Sequence, residues 1–82
     1  MLKVGSSPLY RQLADVVRQR IAKGIWDVGT QIPSLEGLTA EFGVALITVR
    51  QAMALLAQEG LVHAQRGRGT HVIARPPVHP RV

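Results

Sequence analysis

Thr48, Arg50 and Gln51 stand close together in the chain, and Arg66 and Arg68 flank a single glycine, Gly67. A hydroxyl, a guanidinium and a carboxamide are donors that suit phosphate oxygens and base edges. Two arginines on a glycine turn suit phosphate or a narrow minor groove. The remaining chemistry-bearing residues form no catalytic set. His63, His71 and His79 are the only histidines, and cysteine is absent. If Gly67 and Arg68 form the hairpin turn, His63 stands opposite Val72 and His71 points to the other sheet face. The two histidines then cannot easily share a metal. Ser6, Ser7 and Ser34 read as chain starts and helix caps, not nucleophiles. No nucleophile, base and orienting acid converge, and no glycine-rich loop follows a strand. The expectation is a protein without catalysis, cofactor or metal.

The donors need a scaffold, and the apolar spacing supplies one. Leu38 and Phe42 are four apart and share a helix face. Gly43 supplies the left-handed residue that ends a helix. Val49, Ala52, Met53 and Leu56 then repeat at three and four, the buried stripe of an amphipathic helix. Thr48, Arg50 and Gln51 fall off that stripe and face outward. A short helix, a glycine turn and a second helix with polar residues early in it is the arrangement that puts a helix into a DNA major groove.

Upstream, Ser7 and Pro8 read as a helix start, with proline at the first helical position. Leu9, Leu13, Val16, Val17 and Ile21 follow helical spacing, leaving Arg11, Asp15, Arg18 and Gln19 in water. Gly24 stops this helix after Lys23. Residues 25–32 read as a loop with a short extended end, in which Trp26 covers the edge of a small core. Pro33-Ser34 opens the next helix with Ser34 as N-cap, and Gly37 costs it about 1 kcal/mol relative to alanine. Glu59-Gly60 ends the last helix. Residues 61–65 and 70–74 are β-prone runs around Arg66-Gly67-Arg68-Gly69. The expected fold is α+β, a winged helix-turn-helix of three helices plus a β-hairpin wing. Residues 1–7 read as a tail, 8–74 as the domain and 75–82 as a proline-rich linker toward a further domain.

Composition agrees with a polyanionic partner. The chain has 82 residues, enough for one small domain, with formal net charge +5 and pI near 11.2. Residues 1–42 carry five Lys/Arg against four Asp/Glu, whereas residues 43–82 carry five Arg against one Glu. The basic excess lies in the half that holds the last helix and the ribbon. Absence of cysteine suits a reducing interior. No apolar run approaches a membrane span and no signal-peptide core is present, so a soluble intracellular protein without a membrane is expected.

One ordered series of motifs runs from Pro8 to Val72. It comprises Pro8-Leu9-Tyr10 with Gln12-Leu13; Ile21 and Gly24; Gly29 then Ile32-Pro33-Ser34; Phe42-Gly43-Val44; Thr48-Val49-Arg50 with Ala52; Leu56 with Glu59-Gly60-Leu61; and Arg66-Gly67-Arg68-Gly69-Thr70 with Val72. In this series the chain resembles the N-terminal winged-helix domain of the GntR family of bacterial transcription regulators. Its start and its wing look most like the HutC branch, whose C-terminal domain binds small effectors.

The resemblance implies a cytoplasmic, nucleoid-associated homodimer on a two-fold-symmetric double-stranded DNA operator. A small-molecule effector in a missing domain would change its grip. It implies that Ser34, Leu35 and Glu36 approach the backbone and groove edge. Ala45, Leu46, Ile47 and Thr48 begin a recognition helix spanning 45–59. Thr48 and Arg50 hold phosphates, Gln51 is a base or phosphate contact, and Arg66, Gly67, Arg68, Gly69 and Thr70 form the wing. The family usually has Ser-Arg-Thr where this chain has Ala45-Leu46-Ile47, and Glu-Arg-Glu where it has Leu35-Glu36-Gly37. The two arginines that commonly reach guanine are therefore replaced by Leu46 and Glu36. Leu46 and Ile47 either meet thymine methyls or pack on a neighbouring element, and Glu36 can accept from cytosine N4. An exposed apolar patch there also suits a winged helix that binds protein, although the arginines of the wing argue against it.

Overall fold

The computed structural model describes residues 8–76. The tail at 1–7, Ser7 with it, and most of the proline-rich segment lie outside the described residues. The first helix, α1, runs Leu9–Ala22. Leu13, Ala14, Val17 and Ile21 are its buried stripe, at the three-and-four spacing of a helix face. Pro8 is the N-cap, with ψ 146°, so it precedes the first turn and does not open it as the sequence suggests. Its carbonyl accepts from the Arg11 and Gln12 amides at 3.1 and 3.2 Å. Lys23 caps the other end and Gly24 follows at φ +79°.

The second helix, α2, runs Leu35–Phe42, and the Ser34 hydroxyl accepts the Gly37 amide at 3.0 Å. Here the glycine has a use. A Cβ on Gly37 would sit 3.3 Å from that hydroxyl oxygen, so its absence keeps the cap uncrowded and offsets part of the glycine penalty. Ser34→Ala should cost about 1 kcal/mol. In a domain of this size that lowers the thermal midpoint by roughly 4–8 °C, which calorimetry would show. An unchanged midpoint would mean that the cap does not hold α2.

Gly43 turns the chain at φ +65°, and the third helix, α3, runs Leu46–Gln58. The expected 45–59 span therefore holds with Ala45 and Glu59 as its caps. The axes of α2 and α3 differ by 114°, the crossing of a helix-turn-helix. Val49, Ala52, Met53 and Leu56 are buried, as their spacing predicts. Together with the α1 stripe, Ile32, Leu38, Leu61, Val62 and Val72 they make one core. Trp26 and Phe42 lean on its edge, and the Arg20 guanidinium sits 5.0 Å from each ring centroid while it binds Glu41 at 2.6 Å. That cation ties α1 to α2 through ring faces and a carboxylate together.

Two strands close the fold. β1 is Val62–Gln65 and β2 is Gly69–Val72, antiparallel. The turn is three residues, Arg66-Gly67-Arg68, closed by the Arg68 amide on the Gln65 carbonyl at 2.9 Å with Gly67 at φ +77°. One residue more than a two-residue turn shifts the register by one. His63 therefore faces His71, not Val72, and both lie on one sheet face, contrary to expectation. Among the described residues no group of three or more potential metal ligands forms around them. His79 lies outside them. β2 also ends at Val72, two residues before the expected end, as the Ile73 amide turns to the Leu61 carbonyl at 2.9 Å.

The far edge of β2 is not bare. Gly29 and Ile32 donate to Val72 and Thr70 at 2.8 Å, Val72 donates to Thr30 at 2.9 Å, and Gln31 bridges His71. The extended end of the loop thus covers a strand edge. No single helix among the described residues is long and apolar enough to cross a membrane.

Candidate nucleic-acid interface

The first turn of α3 is apolar and open. Leu46 is 37% exposed and Ile47 61%, and neither belongs to the residues packed on the core. Ala45 is exposed and makes no side-chain cap, which costs about 1 kcal/mol against a serine there. Thr48 is half-buried, and Arg50 and Gln51 are exposed. Arg50 lies four residues after Leu46, and Gln51 four after Ile47, so each pair shares a face of the helix.

The start of α2 divides. Ser34 and Glu36 are exposed, but Leu35 is half-buried and packs on the core, so its apolar side chain is partly spent on folding. In the hairpin, Arg66, Gly67, Arg68 and Gly69 are exposed at the tip and Thr70 is half-buried. Gly69 is needed at its place. It has φ +78°, and a Cβ there would meet the Gln31 side chain at 2.5 Å.

A groove of about 260 Å³ joins these three elements. Leu35 of α2, Arg50, Met53 and Ala54 of α3, and Ala64 and Thr70 of the hairpin line it. No local signal in the sequence sets the hairpin beside α3, so the groove is visible only in the fold. Its lining nevertheless places Arg50 between the start of α2 and the ribbon.

Ion pairing sorts the arginines. Arg18 binds Asp15, and it binds Glu59 through two contacts of 2.9 and 2.7 Å. Those bonds, to Glu59 first, hold its guanidinium pKa above the ordinary value. Arg20 binds Glu41 at 2.6 Å, and Arg75 binds Asp27 at 2.8 Å. Arg75, together with the Val28 amide, pulls the Asp27 carboxyl below its ordinary value of 3.8. Arg11 donates to the Tyr10 hydroxyl at 3.4 Å. Among the described residues, Arg50, Arg66 and Arg68 have no carboxylate partner. Lys23 is unpaired too, at the C-terminus of α1, where the helix dipole favours a cation. Four of the five carboxylates are engaged and Glu36 is not. Apart from Arg11, which bonds only the Tyr10 hydroxyl, the uncompensated arginines belong to α3 and the wing, where they are free for an anionic partner.

Known proteins share this fold. Residues 9–72 match the family described as bacterial regulatory proteins, gntR family. The chain is 42% identical over 69 residues to the mannosyl-D-glycerate transport/metabolism system repressor MngR of Escherichia coli, covering 84% of this chain and 29% of that one. It is 37% identical over 71 residues to the Exu regulon transcriptional regulator of the same species, covering 87% and 28%. It thus spans under a third of the length of these relatives. Among solved structures, YtrA of Sulfolobus acidocaldarius, a GntR-family transcription factor, superposes with TM-score 0.82 at 31% identity, over 93% of this chain and 81% of that one. The DNA-binding domain of AraR, in complex with its operator ORX1, superposes with TM-score 0.78 at 32% identity, over 80% of each chain.

Proposed function

The chain belongs to the GntR family of bacterial regulatory proteins, and from that membership we propose that it is the operator-binding part of a transcription regulator. One observation carries the reading to particular residues. Three arginines without carboxylate partners, Arg50, Arg66 and Arg68, lie on α3 and on the ribbon packed beside it. AraR's domain, similar over four-fifths of this chain, is held in its structure on operator DNA.

In this reading the start of α3, Ala45 to Thr48, enters the major groove. Thr48 and Arg50 bind phosphates, and Gln51 takes a base or phosphate. Arg66 and Arg68 meet the backbone or the adjacent minor groove, with Gly67, Gly69 and Thr70 bringing the ribbon close. Ser34 approaches the groove edge through α2. Glu36, an acceptor with no cation beside it, suits the amino group of cytosine. A second domain beyond this one binds a small effector and brings two copies onto a two-fold-symmetric site. The name repressor carried by MngR favours repression as the outcome.

Titration of the 82-residue chain with labelled genomic duplexes at low and high salt tests this. Binding should be present in dilute buffer and weaken steeply as salt rises. Absence of binding to any duplex in dilute buffer would refute the reading.

A further inference from the structure

We propose that the first turn of α3 reads thymine through its C5 methyl group, with Leu46 and Ile47 as the reading side chains. The inference rests on the DNA-binding role above and gives it a base preference. Leu46 and Ile47 are exposed neighbours at the start of α3, outside the set packed on the core. Ile47 is the more open of the two, at 61% against 37% for Leu46, and the core is built without either. They share faces with Arg50 and Gln51 one turn later, so a duplex held by Arg50 lies against them.

The occupant follows from what these side chains lack. Ala45, Leu46 and Ile47 offer no side-chain donor or acceptor. Guanine presents two acceptors in the major groove, and against this turn both would lose water without gaining a partner. Thymine alone carries a methyl group on that edge, and burying it against leucine and isoleucine removes apolar surface from water on both sides. The free arginine on the same face argues for a nucleic-acid occupant over an apolar protein surface, which would strand that charge.

The test needs no variant at its first step. Duplexes bound by the 82-residue chain are selected from a random pool, and each thymine of the recovered site is replaced in turn by deoxyuridine, which deletes only the methyl. One or two of these changes should weaken binding about four-fold each, the equivalent of about 0.8 kcal/mol per buried methyl. In the Leu46→Ala/Ile47→Ala protein the same deoxyuridine changes should have no effect. A site that tolerates deoxyuridine at every thymine would overturn the inference, as would one whose dominant requirement under Leu46 is guanine. In both cases DNA binding itself would stand. Failure to bind any duplex at low salt would overturn the DNA reading and this inference together.

Discussion

Arg50→Ala lowers affinity for every duplex alike, by about ten-fold or more, and reduces the slope of log affinity against log salt by about 0.9. Arg50 is exposed and has no carboxylate partner among the described residues. Its removal therefore breaks no ion pair in the folded protein, and the loss appears only when DNA is bound. A phosphate contact carries no sequence information, so tight and loose sites suffer together. Removing Arg66 and Arg68 together should flatten the slope by about 1.8, because two contacts are lost. Arg18→Ala is the control. That guanidinium already serves Asp15 and Glu59, so its removal should leave the slope unchanged. Fluorescence anisotropy across a salt series measures all three. Equal slopes for wild type and Arg50→Ala would show that Arg50 does not touch the duplex.

The same distinction between free and paired arginines shows where sequence reasoning ends. The helix stripes were legible because a helix face repeats every three or four residues, and Val49, Ala52, Met53 and Leu56 obey that rule without reference to anything distant. The turn at Gly43 was legible because few residues accept a positive φ. The hairpin was legible in kind but not in register. A two-residue and a three-residue turn both fit Arg66-Gly67-Arg68-Gly69, and the choice decides whether His63 meets Val72 or His71. Pairing of residues 29–32 with β2 was hidden for a related reason. It joins segments about forty residues apart through backbone atoms, which side-chain pattern does not report. Ion pairs were hidden as well. Arg18 finds Glu59 across 41 positions, and only such closures reveal that the arginines of α3 and the wing are left over for a partner. Leu46 and Ile47 were ambiguous because apolar residues at a helix start fit either packing or an open face, and only the assembled fold shows them outside the set packed on the core.

Leu56→Ala should produce the opposite phenotype from Arg50→Ala: a less stable protein whose remaining folded fraction binds with an unchanged salt slope. Leu56 is fully buried in the core of α3, the helix that packs chiefly on α1. Truncation removes three heavy atoms' worth of burial and leaves a cavity, a loss of about 2–5 kcal/mol. A domain of this length holds only about 4–12 kcal/mol in total, so the change consumes a large share. The urea midpoint should fall while the dependence on urea concentration stays the same, since the surface exposed on unfolding barely changes. Apparent DNA affinity should drop only by the fraction unfolded. Saturating duplex should restore much of the lost stability, about 2.7 kcal/mol at a hundred times Kd. Arg50→Ala, whose side chain is exposed, should shift the urea midpoint little and gain less from the same duplex. Urea titrations of both proteins with and without duplex separate the two effects. If Leu56→Ala flattened the salt slope while its midpoint held, the core of α3 would be acting on the phosphate contacts directly, and the division between a buried face that folds and an open face that binds would fail.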